Sequence, residues 1–385
     1  MPRSLFIIPV LFCMHRCLLA QPVSADSNRR IIQPEVSYIG ELWNNLTGGT
    51  RKGTCYLGMA NIRISFSTEA AKLWKGGELF VNGAHTHGEE PSAKYLGDMQ
   101  VASNIEAGNH TFIQEIWYKQ TWKSGEITLG LQDMNIDFVN SSNGALFLNS
   151  SFGTLPTVSG NIPAPIFPLT SFGLSSKWKL TPRFMLLTAI YDGSATDFSK
   201  NPHNLKWNLG AGEGLLIFSE IQREITIGNM PGIYKAGIYL HQHFVKEEED
   251  YDEDVDTLFR NNNGVYVIGD QMIWQNPGNK RNVGVFIQLG LAPRKQNTNH
   301  HYIGLGMNFT GLFSRKGNDV AGVAVAHDGL RGGKDNETTL ELTYKYAVFQ
   351  FLYLQPDVQY IINPAGTEER LNNCLAVTLR FGISF

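Results

Sequence analysis

The sequence predicts an all-β fold: a transmembrane antiparallel β-barrel of about sixteen strands with short periplasmic turns and long extracellular loops. Three observations carry that prediction. The chain opens on an export signal, the remainder alternates apolar and polar residues with period two, and the connections are short and long in turn.

The export signal comes first. Arg3 gives a positive start, Leu5 to Met14 is apolar, and Val23-Ser24-Ala25 sets small residues where a signal peptidase reads them. His15 and Arg16 break the apolar run, so cleavage after Ala20 is the alternative to cleavage after Ala25. The run is too short for a spanning helix, which needs roughly 20 apolar residues. Residues 1–25 therefore read as a signal peptide and 26–385 as one barrel domain. Removing the signal takes away Arg3 and Arg16 and no acid, so the mature chain is more acidic than the net −3 of the whole. No nucleic-acid partner is expected, since that needs a strongly basic face. Cys13 and Cys17 leave with the signal, and Cys55 and Cys374 are too few for a disulfide-stapled fold. They fall on about the second strand and the last, which are not direct neighbours, so two free thiols are expected.

The alternation is clearest at the C-terminus. Leu375, Val377, Leu379, Phe381, Ile383 and Phe385 fall on one face; Cys374, Ala376, Thr378, Arg380, Gly382 and Ser384 fall on the other. Upstream, Leu340, Leu342, Tyr344 and Tyr346 oppose Thr339, Glu341, Thr343 and Lys345. Leu352, Leu354, Pro356, Val358 and Tyr360 oppose Tyr353, Gln355, Asp357 and Gln359. Two more apolar rows run Val283 to Leu291 and Ile303 to Phe309. In a membrane barrel one face meets lipid and the other meets water, so inward polar groups are expected to stay wet at little cost. A terminal strand ending on Phe385 is also the expected handle for the outer-membrane insertion machinery.

Tight links are expected at Lys123-Ser124-Gly125, Thr181-Pro182, Asn229-Met230-Pro231-Gly232 and Arg315-Lys316-Gly317-Asn318. Longer ones are expected at about 87–109, 134–169, 192–207, 245–263 and 362–371. The segment 134–169 is the candidate constriction element, folded into the lumen, because long ordered loops are often functional.

Several stretches resemble the carbohydrate-selective porin (OprB) family. They are Gly97-Asp98-Met99-Gln100 with Ser103-Asn104-Ile105-Glu106, the region Leu129 to Gly153, Ile166-Phe167-Pro168, and Leu354-Gln355-Pro356-Asp357-Val358-Gln359-Tyr360 through Pro364. Tyr38-Ile39-Gly40-Glu41 followed by Gly48-Gly49 matches an early strand and loop. The resemblance implies a sixteen-stranded channel in the Gram-negative outer membrane, passing small sugars by facilitated diffusion, in contact with membrane lipid and lipopolysaccharide. It implies no cofactor and no catalysis. It also implies that Glu41 is the constriction glutamate, and that the constriction holds an arginine. The strand Glu78–His85, where that arginine belongs, carries Asn82 and His85 instead. A general diffusion porin for small hydrophilic solutes is the alternative.

A sugar has hydroxyls all round and an apolar C–H face, so its channel needs charged or amide partners beside aromatic surfaces. The candidate constriction residues are Glu41, Trp43, Asn82, Glu115, Trp117, Lys119, Lys235, Asp357 and Arg380, with Asp357 and Arg380 read as an opposed pair. His241 and His243 are further inward candidates. His85-Thr86-His87 and His241-Gln242-His243 each put two imidazoles on one face, without the third ligand of a metal site. The acidic run Glu247 to Asp254 reads as a solvated outer loop. A barrel lipase or a periplasmic lectin-like sandwich are the rival classes, and no Gly-x-Ser-x-Gly elbow is present.

Overall fold

The computed structural model describes residues 30–207, 214–242, 261–331 and 336–385. The signal segment, His243 and the acidic run lie outside the described residues. The strands in chain order are β1 (Ile32–Thr47), β2 (Gly53–Ser67), β3 (Gly77–Gly88), β4 (His110–Thr121), β5 (Gly125–Gln132) and β6 (Ser171–Thr181). There follow β7 (Phe184–Asp192), β8 (Leu215–Ile227), β9 (Met230–Gln242), β10 (Asn261–Gln275) and β11 (Asn282–Leu291). The last are β12 (Asn299–Thr310), β13 (Asp319–Leu330), β14 (Asn336–Phe349), β15 (Leu352–Ile362) and β16 (Cys374–Ser384).

Each strand pairs antiparallel with its sequence neighbours, and β1 pairs with β16 from Ser37↔Ser384 to Thr47↔Leu375, closing the barrel. Closure leaves no sheet edge unpaired, the condition for a sheet to sit in hydrocarbon, and it excludes a two-sheet sandwich. The outward rows face out as the alternation predicts: Leu342 is 59% exposed, and Leu289, Ile303, Leu305, Leu340 and Val358 are exposed with it. Around the turn end runs an aromatic girdle. Trp122 stacks on Trp178 with centroids 6.4 Å apart, and Phe351 stacks on both Phe349 and Phe385 at 5.5 and 5.6 Å. Amphipathic rings at that level mark a membrane–water interface.

Short connections, such as 122–124, 182–183 and 228–229, leave this girdled end. The long ones, 89–109, 133–170, 193–214 and 363–373, leave the other. Two of the tight links differ from expectation: the turn after β8 is Gly228-Asn229, with Pro231 and Gly232 already in β9, and the link expected at Arg315–Asn318 begins at 311. Gly228 adopts φ +62°, the left-handed conformation that a two-residue hairpin requires. The connection expected at 192–207 runs on to 214. Cys55 on β2 and Cys374 on β16 are separated by β1, buried and unbridged.

The expectation of a wet inner face needs correction. From β7 to β13 the inward side chains include Tyr191, Phe218, Tyr239, Tyr266, Phe286 and Tyr302, all buried in one apolar cluster with Met134, Phe138, Phe147, Phe152, Leu155 and Val158 of the 133–170 connection. Apolar surface on both sides of the wall is stable because this connection covers the inner side. Period two assigns faces, and half of the inner face is dry.

Because Leu342 lies near the middle of β14 on the lipid side, Leu342→Arg should destabilise the barrel by about 2–4 kcal/mol. Urea titration in lipid vesicles measures it; an unchanged midpoint would place this face away from lipid.

Candidate functional site

The 133–170 connection is anchored by carboxylates of the barrel wall. Its short turns leave backbone N–H groups without partners inside the connection, and inward acids accept them. Glu220 on β8 accepts from the Val139 N–H at 3.1 Å and the Tyr266 hydroxyl at 2.8 Å. Asp270 on β10 accepts from the Ser141 hydroxyl at 2.7 Å and from the N–H groups of Ser142 and Asn143 at 3.2 and 2.9 Å. Glu341 on β14 takes the N–H groups of Leu148 and Asn149 at 2.5 and 3.0 Å. From β9, the Lys235 ammonium donates to the Asn140 carbonyl and side-chain oxygens at 2.8 and 2.5 Å. Glycines of the inner wall make room: a Cβ at Gly284 would lie 2.7 Å from the Asn143 side chain, and one at Gly290 would overlap Thr157.

A second connection, 89–109, is seated beside the first. Glu337 on β14 accepts from the N–H groups of Met99 and Gln100, both at 2.9 Å, and of Ala365 at 2.7 Å. Glu106 accepts from Ser92 and Ala93 within the connection at 3.1 and 3.4 Å. Glu41, at 0% exposure, accepts from Trp43 Nε1 at 2.6 Å, Ser103 Oγ at 2.7 Å and Arg380 Nε at 2.5 Å. Arg380 also donates to Asn104 at 2.6 Å. The two connections bond each other through Asn104 N–H to the Leu148 carbonyl and Ser150 N–H to the Val101 carbonyl, each 2.8 Å. Burial pushes the Glu106 carboxyl up to about 8, with Asp98 adding repulsion, and burial raises Asp98 as well.

A different stretch of inner wall stays partly accessible: Asn82 and Glu115 are buried, while Phe80, Trp117, Glu78 and Lys119 keep part of their surface open. On β3 and β4 three inward pairs stand directly opposite one another: Asn82 with Glu115, Phe80 with Trp117, and Glu78 with Lys119. Asn82 donates to Glu115 at 3.4 Å, and the Trp117 indole N–H donates to the same carboxylate at 3.2 Å. The Phe80 and Trp117 rings stack at 4.7 Å with 24° between planes, and the Lys119 ammonium lies 4.8 Å over Trp117. Lys119 meets Glu78 at 3.4 Å, and these two side chains keep 24% and 31% of their surface open. The flanks repeat the pattern. Arg63 on β2 pairs with Glu35 on β1 at 2.8 Å, and Lys177 on β6 pairs with Glu126 on β5 at 2.9 Å and with Asp137 of the 133–170 connection at 2.6 Å.

Of the residues singled out by the sequence, Asn82, Glu115, Trp117 and Lys119 come together on this patch. Glu41, Trp43 and Arg380 also come together, but beneath the 89–109 connection. Lys235 is buried and committed to Asn140. Asp357 does not pair with Arg380: barrel closure sets Glu41 opposite Arg380, the β15–β16 register sets Gln355 there, and Glu41 takes the guanidinium. Asp357 is buried and accepts from Gln359 at 3.4 Å. His85 faces outward, stacked on His87 at 5.6 Å and bonded to Thr111 at 2.8 Å. His241 is buried, 2.8 Å from the Gly193 carbonyl. No arginine lies on β3; the register partner of Asn82 on β2 is Arg63. Arg63, Phe80, Glu78, Lys177 and Asp137 were missed, although Phe80 and Glu78 share the parity of Asn82.

With that geometry established, the comparisons decide the family. Residues 51–385 match the description "Carbohydrate-selective porin, OprB family". The chain belongs to this family. Porin B of Pseudomonas aeruginosa is 22% identical over 91% of this chain and 87% of that protein. The solved structure described as the high pH structure of Pseudomonas putida OprB covers 92% of this porin and 94% of itself, with a TM-score of 0.79 at 20% identity. Its low pH counterpart gives 0.59 at 17% identity, covering 92% of each chain. A mutant Rh. blastica porin gives 0.55 at 13%, covering 92% of this chain and all of that one. This OprB-family porin is thus a Gram-negative outer-membrane channel selective for carbohydrates, and family and fold indicate a channel rather than an enzyme.

Two outcomes test how the connections are held. Glu341→Gln keeps the shape of the anchor but replaces one of its two acceptor oxygens with a donor amide, so amide protection of Leu148 and Asn149 should fall by about tenfold or more in hydrogen exchange; unchanged protection would mean the Glu341 carboxyl is not the anchor. For Glu106, a raised carboxyl stabilises the seated connection fully below its ordinary value of 4.5 and loses that contribution as pH rises through about 8. Protection of Ser92 and Ala93, corrected for intrinsic exchange, should therefore be lower at pH 8.5 than at pH 5. A rise would reverse the sign.

Proposed function

We propose that small sugars cross this porin by facilitated diffusion along the β1–β6 wall, and that the β3–β4 patch is where they are recognised. The observation that carries this is a pair of stacked aromatic rings beside an ion pair on inner wall that stays partly open, with the buried Glu115 carboxylate holding the Trp117 indole from behind. A pyranose would lay its C–H face on Phe80 and Trp117 and give its hydroxyls to Glu78 and Lys119. Arg63, Lys119 and Lys177 along this wall each have a carboxylate beside them, so the wall offers hydrogen bonds with much of its charge paired. That favours a neutral polyhydroxyl solute over an ion. Partial exposure keeps the contact weak, as conduction requires.

In the same proposal the 133–170 and 89–109 connections form the constriction, and Glu41, Trp43, Lys235, Asp357 and Arg380 act by holding them. Residues 1–25 are proposed as the signal that exports the chain. Phe385, 77% exposed beside Phe351, is proposed as the handle read by the outer-membrane insertion machinery.

Trp117→Ala tests the patch. An aromatic contact of about 1 kcal/mol corresponds to roughly fivefold in occupancy, so the ratio of glucose to similarly sized amino-acid entry in liposome swelling should drop about fivefold. An unchanged ratio would move recognition elsewhere in the channel.

A further inference from the structure

We infer that the outer rim over β12 and β13 is a docking site for the phosphorylated headgroup of lipopolysaccharide in the outer leaflet. The inference rests on the outer-membrane placement of the barrel and is independent of how sugars are recognised. Arg294 and Lys295 are exposed on the connection 292–298, and Arg331 is exposed just after β13. Arg331 ties the three together by donating to the carbonyls of Arg294, at 3.3 Å, and Lys295. Just below lie three imidazoles, with His300–His301 centroids 4.6 Å apart and His301–His327 5.7 Å apart.

Parity fixes which way this cluster faces. His301 pairs in register with Gly329, and Ile303 with His327, so His301 and His327 share the lipid-side row of Ile303, Leu305, Val323 and Val325. The His301 ring lies so close over Gly329 that a Cβ there would overlap it. Of the described acids nearby, Asp328 and Glu337 point inward at 0% exposure, and Glu368 lines the same cleft as Arg331 without an ion pair to it. Among the described residues, Arg294, Lys295 and Arg331 form no ion pair, whereas on the opposite rim Arg51 and Lys94 both share Glu89, at 3.9 and 3.7 Å. Outward from mid-membrane this face therefore presents aliphatic side chains, then imidazoles, then cations without an ion-pair partner among the described residues. An outer-leaflet glycolipid presents acyl chains, sugar and phosphates in the same order, and basic residues near a membrane surface bind anionic headgroups.

The test uses full-length porin in detergent and purified rough lipopolysaccharide. Arg294→Gln combined with Lys295→Gln should weaken binding at least tenfold, while Lys123→Gln combined with Lys280→Gln, at the periplasmic turns, should leave it within twofold. Dephosphorylated lipopolysaccharide should bind wild type at least tenfold more weakly, and millimolar inorganic phosphate should not compete. Equal binding by the double variant, an equal loss in the periplasmic control, or full competition by inorganic phosphate would each overturn the proposal. Heat-modifiable mobility on gels checks folding, and Arg294→Gln alone, with an expected loss of about fivefold, carries the test if the double variant does not fold. Sugar flux measured in parallel separates the two proposals, since a failure of the β3–β4 patch leaves lipopolysaccharide retention unchanged.

Discussion

The interior depends on one kind of bond, a wall carboxylate accepting backbone N–H groups from an inserted connection. Glu220, Asp270, Glu337 and Glu341 come from three different strands, and each spends its carboxyl oxygens on main chain rather than on solute. A tube this wide does not position a loop by shape alone, because the loop's own turns end in unsatisfied donors. Charge-assisted acceptors at fixed heights on a rigid sheet satisfy those donors and set the loop's position together. The aromatic cluster then adds buried area beneath it.

The barrel was legible because alternation is a local property. The outward rows of β14, β15 and β16, the even pattern of turns and the inward parity of Asn82, Glu115, Trp117 and Lys119 all follow from period two. Depth within the lumen is not local. Nothing in the neighbourhood of Glu41 or Lys235 says that a connection dozens of residues away will cover it, so both read as lumen polars and both are buried. The partner of Arg380 was equally hidden. It depends on the register between the first strand and the last, which only closure determines. Phe80 was overlooked for a simpler reason: an aromatic in an alternating strand reads as lipid-facing until its parity is counted.

Recognition and anchoring thus fall on largely different parts of the same sheet, although Glu41 on β1 and Glu337 and Glu341 on β14 hold connections too. On β1 to β6 opposed acids and bases stay partly open and compensate each other. On β7 to β13 the inner face is given over to Tyr, Phe and glycine, and the inserted connection lies on it. The polar arc is free to interact with a passing molecule because the other arc secures the plug.

That division constrains how such a protein can change its bore. Trimming the insert would strip an oily half-cylinder and set it against water instead of opening a clean wide hole. Gauge and preference must therefore be retuned on the polar crescent, one side chain at a time, with the plug kept as it is.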